Sequence, residues 1–108
     1  MIICAGESLI DMVSYATVNG EVQYSPHIGG SILNSAIALG RLGADGYYCG
    51  GVSNDTFGGL IEDCLKDSKV QEDFVIKVNR PTTLAYADVT DGVAKYTFVD
   101  EHLSLIHI

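Results

Sequence analysis

From Tyr47 to Val78 the chain passes through an apolar run, a one-faced helical stripe and a second apolar run, and this alternation constrains its fold most. Phe57, Leu60, Ile61, Cys64 and Leu65 recur at i, i+3, i+4, i+7 and i+8, which places all five on one side of a helix. Asp55 can cap its start, and Lys66 and Lys69 suit its carbonyl end. The flanking runs, Tyr47 to Gly51 and Phe74 to Val78, read as strands. Strand, helix and strand in that order imply parallel strands joined by a right-handed crossover.

The pattern extends in both directions. Gly29-Gly30-Ser31 opens a helix over Ile32 to Leu42, with Ser31 as N-cap and Gly43 just past its end. Leu33 and Ile37 share its stripe, and Ala36 and Gly40 allow close approach to a sheet. Ile2 to Met12 reads as one strand with a bend at Gly6. Tyr15 to Tyr24 folds back about Asn19-Gly20, a strong hairpin signal. After Arg80-Pro81 the period becomes two. Leu84, Tyr86 and Asp88 alternate with Thr83, Ala85, Ala87 and Val89, and Asp91-Gly92 turns the chain into Val93 to Val99, where Tyr96 and Phe98 share a face. The expected fold is α/β, an open and mainly parallel sheet flanked by helices. Two antiparallel ribbons, about 12–28 and 82–100, do not continue its alternation, and such ribbons often cover a site at the carboxyl ends of parallel strands, where ligands bind in open sheets. Leu84, Tyr86, Tyr96 and Phe98 are expected to give the ribbons one apolar face, and their free edges could pair two copies of the chain as a homodimer.

Composition narrows the function. The 108 residues suit one domain, and Lys+Arg 6 against Asp+Glu 14 gives a net charge of −8. That balance argues against nucleic acid, whose phosphates are met by clustered Lys and Arg. No apolar run approaches the roughly 20 residues of a membrane span, and Met1-Ile2-Ile3-Cys4 runs at once into Gly6-Glu7, unlike a signal peptide. The expected location is the cytoplasm, with no membrane partner. Cys4, Cys49 and Cys64 are odd in number and lack C-x-x-C spacing, so they are expected to be small buried hydrophobes. His27, His102 and His107 are scattered, and no metal site is expected from them.

Two features can carry chemistry. Gly29 and Gly30 precede a helix, where paired glycines either let a ligand approach the backbone or simply make a tight turn. Neither G-x-G-x-x-G nor G-x-x-x-x-G-K-[ST] occurs, so a dinucleotide fingerprint or Walker loop is unsupported. Asp11 lies among Leu9, Ile10 and Met12, near the end of the first strand. A carboxylate there either bonds to backbone amides or accepts hydrogen bonds from the vicinal hydroxyls of a sugar. Asn34, one turn into the helix, can donate and accept, or be an ordinary polar residue.

Together, Gly6-Glu7-Ser8-Leu9-Ile10-Asp11, Gly29-Gly30 with Asn34, Gly40-Arg41-Leu42-Gly43 and Val52-Ser53-Asn54-Asp55-Thr56-Phe57-Gly58 resemble the opening of a ribokinase-like (phosphofructokinase B type) carbohydrate kinase. Arg80-Pro81-Thr82-Thr83 and Tyr96-Thr97-Phe98-Val99-Asp100-Glu101 are most similar to the bacterial fructokinase branch, and the likeness covers residues 1–101. It implies ATP- and Mg²⁺-dependent phosphorylation of a sugar hydroxyl, with fructose the nearest substrate. Ribokinase, 2-keto-3-deoxygluconate kinase and nucleoside kinase are the alternatives within the family, and a non-catalytic sugar-binding or dimerisation module is the alternative outside it. The resemblance places Asp11, Gly29, Gly30 and Asn34 on the sugar, with Tyr96 and Phe98 in a small β lid that the two ribbons form above it.

The sequence departs from the family at Ser31-Ile32-Leu33, where smaller residues or Pro are usual, and at Asn54, where the family has Gly; Asn tolerates left-handed backbone angles. The family's catalytic base lies in a Gly-Ala-Gly-Asp segment that this sequence does not contain. The chain is therefore expected to be the N-terminal part of a single domain, to lack a catalytic residue of its own and to bind neither ATP nor Mg²⁺ alone. Residues 102–108, His102-Leu103-Ser104-Leu105-Ile106-His107-Ile108, are expected to be a non-native or truncated tail.

Overall fold

The chain builds two sheets, and the computed structural model describes residues 1–90 and 92–99 of it. The elements are β1 (Ile2–Ala5), β2 (Leu9–Ala16), β3 (Val22–Gly29), α1 (Ser31–Arg41), β4 (Gly46–Ser53), α2 (Thr56–Asp67), β5 (Gln71–Val78), β6 (Leu84–Thr90) and β7 (Val93–Val99). The first sheet has the order β1-β4-β5 and is parallel throughout. The second has the order β3-β2-β6-β7. It consists of the two expected ribbons, joined by a parallel pairing of β2 with β6. The ribbons therefore form one mixed sheet rather than two separate flaps.

The single strand expected over Ile2 to Met12 is in fact two strands in different sheets. The link between them is fastened to β4: the buried Ser8 hydroxyl donates to the Gly51 carbonyl at 3.2 Å, and the Tyr48 hydroxyl donates to that of Gly6 at 2.9 Å. A Cβ on Gly6 would stand 2.6 Å from Ile32 Cγ1, so the crossing needs glycine. Asp11 accordingly lies inside β2, not at the end of a core strand.

Burial follows the helical stripes. Leu33, Ala36 and Ile37 of α1 and Ile61 and Leu65 of α2 join Tyr48 and Val52 of β4 in one core, which Ile10 of the second sheet completes. Burial pushes the Tyr48 phenol up to about 12, so the hydroxyl stays a donor to Gly6 at all ordinary pH. Gly40 makes its close approach to the Ser68 carbonyl beyond α2, and not to a strand.

Local signals performed unevenly. The Asp55 carboxylate caps α2, accepting from the Gly58 amide at 2.8 Å. At α1 the N-cap is Gly30, without a side-chain cap, and Ser31 is the first helical residue. Gly30 has φ 104, which serine would adopt only with strain, so the turn into the helix falls there. Lys66 is in the last turn of α2, whereas Lys69 lies beyond it with φ 61 and is the described non-glycine residue of positive φ. Asn54 therefore replaces a family glycine at no conformational cost. The three cysteines are free and half-buried, less enclosed than expected, and Cys4 and Cys64 pack against the core.

One expectation for the ribbons fails on register. Phe98 pairs with Ala85 and Tyr96 with Ala87, whereas Leu84 pairs with Val99 and Tyr86 with Thr97. Paired residues share a face, so Tyr96 and Phe98 lie opposite Leu84 and Tyr86. The four do not form one apolar surface. Among the described residues no helix is long and apolar enough to cross a membrane. Asp91, Asp100, Glu101 and the expected tail at 102–108, with His102 and His107, lie outside the described residues.

Candidate functional site

β2 is the inner strand on which the site is built. It pairs Asp11 with His27 of β3 on one side and with Ala85 of β6 on the other, and Ala85 pairs with Phe98 of β7. One row, His27–Asp11–Ala85–Phe98, thus crosses the whole second sheet on a single face, with Val13, Ala87 and Tyr96 in the next row of that face. Phe98 and Tyr96 are 64% and 58% exposed, so both rings are available above the sheet.

At the other end of this face the strand meets α1. Gly29 is buried, and a Cβ placed on it would run into Asp11 Oδ2 and stand 2.8 Å from Leu9 Cδ1. The carboxylate therefore lies against the bare backbone at the doorway of the helix. A Cβ on Gly30 would stand 2.7 Å from the Glu7 carbonyl. Gly30 makes the tight turn, and Gly29 permits the close approach of the Asp11 side chain. Asn34 follows one turn later, exposed on α1, its amide N–H bonded to the Gly30 carbonyl at 2.9 Å. A cleft of about 370 Å³ opens beside the pair, lined by Gly6, Glu7, Leu9, Gly30, Ser31 and Ile32. Leu9 joins cleft and carboxylate, since it lines the one and touches Gly29 beside the other.

The structure thus brings Asp11 and Gly29 into contact, sets Gly30 and Asn34 at the adjoining helix start, and puts Tyr96 and Phe98 on the same sheet face. Sequence reasoning overlooked His27, dismissed as a scattered histidine. A two-residue turn at Asn19-Gly20 would set Asp11 opposite Ile28, and the observed register, one residue away, is what brings His27 to Asp11. Among the described residues no group of three or more His, Cys, Asp or Glu could hold a metal ion.

A second polar cluster lies where β4 and β5 end. Besides capping α2, Asp55 accepts from the Thr82 hydroxyl at 2.6 Å and from the Thr82 amide at 2.8 Å. Asn54 donates to Asn79 at 3.3 Å across the same gap. Burial acts to raise the Asp55 pKa, but the bonds from Thr82, Gly58 and Ser53 together hold it below the usual carboxylate range. A carboxyl group depressed in the folded state stabilises it fully above the ordinary value of 3.8, and that contribution is lost as pH falls through the lower folded value. Wild type and Asp55→Asn should therefore differ in thermal midpoint at pH 6, and the difference should shrink below about pH 3.8. A gap that stays constant from pH 6 to pH 2 would contradict this.

The chain is thus a parallel β-α-β layer carrying a mixed side sheet, with a carboxylate and a glycine pair at their joint. The model of the pfkB family of carbohydrate kinases matches residues 1–104. A fructokinase of Rhizobium leguminosarum bv. trifolii is 42% identical over 101 residues, covering 94% of this chain and 31% of that protein. The crystal structure of a fructokinase from Xylella fastidiosa superposes with a TM-score of 0.86 at 27% identity, over 95% of this chain and 33% of that one. The Xylella fastidiosa fructokinase has also been solved with bound ATP, and the likeness there is again 0.86, at 26% identity, over 95% of this chain and 34% of that one. The chain belongs to the pfkB carbohydrate kinase family. It spans about a third of the length of these relatives.

Proposed function

We propose that this chain forms the sugar-binding and lid portion of an ATP-dependent carbohydrate kinase of fructokinase type, acting in the cytoplasm. The observation that carries the reading is the Asp11 carboxylate lying against Gly29. An ionised carboxylate accepts hydrogen bonds from two adjacent hydroxyls, and Gly29, without a side chain, leaves the room that the Asp11 carboxylate itself takes. Gly30 and Asn34 add backbone and amide groups at the start of α1, and Phe98 and Tyr96 cover the apolar face of the ring. Phosphoryl transfer depends chiefly on positioning and charge stabilisation, and a lid that excludes water protects ATP from hydrolysis.

In this reading the catalytic base, the nucleotide pocket and the Mg²⁺ site belong to parts of the complete protein outside this chain, because the sequence has no Gly-Ala-Gly-Asp segment. The test is a coupled assay of ADP release with fructose. The full-length protein from the intact locus should turn over, and the 108-residue chain should not. Turnover by the chain alone, or none by the full-length protein with fructose, ribose or 2-keto-3-deoxygluconate, would overturn the proposal.

A second reading, a non-catalytic module that dimerises through its lid, is favoured by the exposure of Val93, Tyr96, Phe98 and Val99 on β7, an edge strand. Size-exclusion chromatography with isothermal titration of fructose separates the two. A dimer that binds sugar, from a locus whose complete product shows no kinase activity, supports the module.

A further inference from the structure

The second sheet joins the first at three places: the β1–β2 link, the Gly29-Gly30 turn and the link from β5 to β6. The first two are fixed by close backbone packing at glycines. The third contains Arg80 and Pro81 on the surface and is tied to the start of α2 by Asp55, which holds Thr82, and by Asn54, which donates to Asn79. A helix cap needs a single acceptor, and Asp55 provides it through Oδ1 to the Gly58 amide. Its remaining capacity goes to Thr82, 27 residues away: Oδ1 also receives the Thr82 hydroxyl, and Oδ2 receives the Thr82 amide.

Thr82 is 3% exposed, and the peptide after it is where β2 and β6 meet. The Thr83 carbonyl accepts the Ile10 N–H at 3.0 Å, and the parallel register then runs Ile10 with Leu84 and Asp11 with Ala85. Asp55, Thr82, Thr83 and Ile10 therefore form a continuous path of bonds from the amino end of α2 to the residue before Asp11.

We propose that Asp55 is a positioning residue for the sugar site: by holding Thr82 it fixes the start of β6, and through it the place of Asp11 on β2 and of Phe98 on β7. This rests on the function proposed above for Asp11 and Phe98. Asp55 itself touches no substrate in this scheme. Its depressed pKa fits the role, since the charged form is the one the three donors need.

Two variants separate positioning from capping. Asp55→Asn keeps an acceptor for Gly58 but turns an amide N–H₂ towards the Thr82 N–H. Thr82→Val leaves the cap whole and removes only the hydroxyl bond. In the 108-residue chain, hydrogen exchange followed by NMR should speed up about tenfold at Ile10 and at the β6 amides in both variants. In Thr82→Val the α2 amides should keep their wild-type rates, and Thr82→Ser should restore the wild-type pattern. In the full-length protein the sugar KM should rise about tenfold in each variant while the ATP KM holds, and the double variant should add little.

Unchanged exchange at Ile10 and β6, or faster exchange spread equally over α2 in Thr82→Val, would overturn the positioning role. A sugar KM that stays at the wild-type value would do the same. If the wild-type protein phosphorylates no sugar, the function proposed above fails, and the exchange comparison still decides whether Asp55 fixes β6 and β2.

Discussion

Asp11→Ala in the full-length protein should raise the sugar KM at least about a hundredfold and leave the ATP KM within about twofold. The carboxylate lies against the backbone of Gly29, on the sheet face that also carries Phe98. Each hydrogen bond from a sugar hydroxyl to an ionised acceptor contributes about 1.5–3 kcal/mol, and two such bonds span roughly two to four powers of ten in affinity. Asp11→Asn keeps one acceptor and should fall between wild type and Asp11→Ala. Steady-state kinetics with sugar and ATP varied in turn reads both constants. A sugar KM within twofold of wild type in Asp11→Ala would remove Asp11 from the binding site.

Gly30→Ala should damage the fold more than any surface substitution. Gly30 has φ 104, and a methyl group there would stand 2.7 Å from the Glu7 carbonyl, which belongs to backbone and cannot swing aside. Backbone strain of this kind costs about 1–3 kcal/mol before the clash is counted. A total of about 3 kcal/mol lowers the melting midpoint of a domain this size by roughly 12–24 °C. Gly29→Ala acts differently, since its Cβ would meet the movable Asp11 and Leu9 side chains. It should cost less stability but displace the carboxylate, and so lose sugar affinity as Asp11→Ala does. Gly59→Ala in α2, where nothing lies within 4 Å of the new methyl, is the contrasting case and should gain about 0.5–1 kcal/mol. Thermal denaturation of the three variants reads the order. Equal midpoints for Gly30→Ala and Gly59→Ala would refute the steric argument.

Periodic features were legible before any coordinates. The stripe from Phe57 to Leu65 gave α2, and Asn19-Gly20 gave the β2–β3 hairpin, because each is set by neighbours in sequence. The break between β1 and β2 was not legible. Gly6 looked like a bulge, and only the bonds from Ser8 to Gly51 and from Tyr48 to Gly6, 43 and 42 residues apart, show why the chain leaves one sheet there. The misplaced apolar face has the same origin. Alternation fixes which residues share a face within a strand, whereas the relation between β6 and β7 depends on register. Of the site, Asp11 and the glycine pair stood out by composition alone. Their contact did not, since it depends on the antiparallel register that sets Gly29 opposite Leu9 and His27 opposite Asp11. Thr82 stood out only within the Arg80-Pro81-Thr82-Thr83 stretch, and nothing in the sequence pointed to the bonds by which it ties the two sheets together at Asp55.

The crystal structure of the full-length protein with its sugar bound tests the central claim most directly. Two adjacent hydroxyls of the sugar should lie within hydrogen-bonding distance of the Asp11 carboxylate, with the ring beside Gly29 and Asn34 in reach of a third hydroxyl. A sugar held elsewhere, touching neither Asp11 nor Asn34, would contradict it.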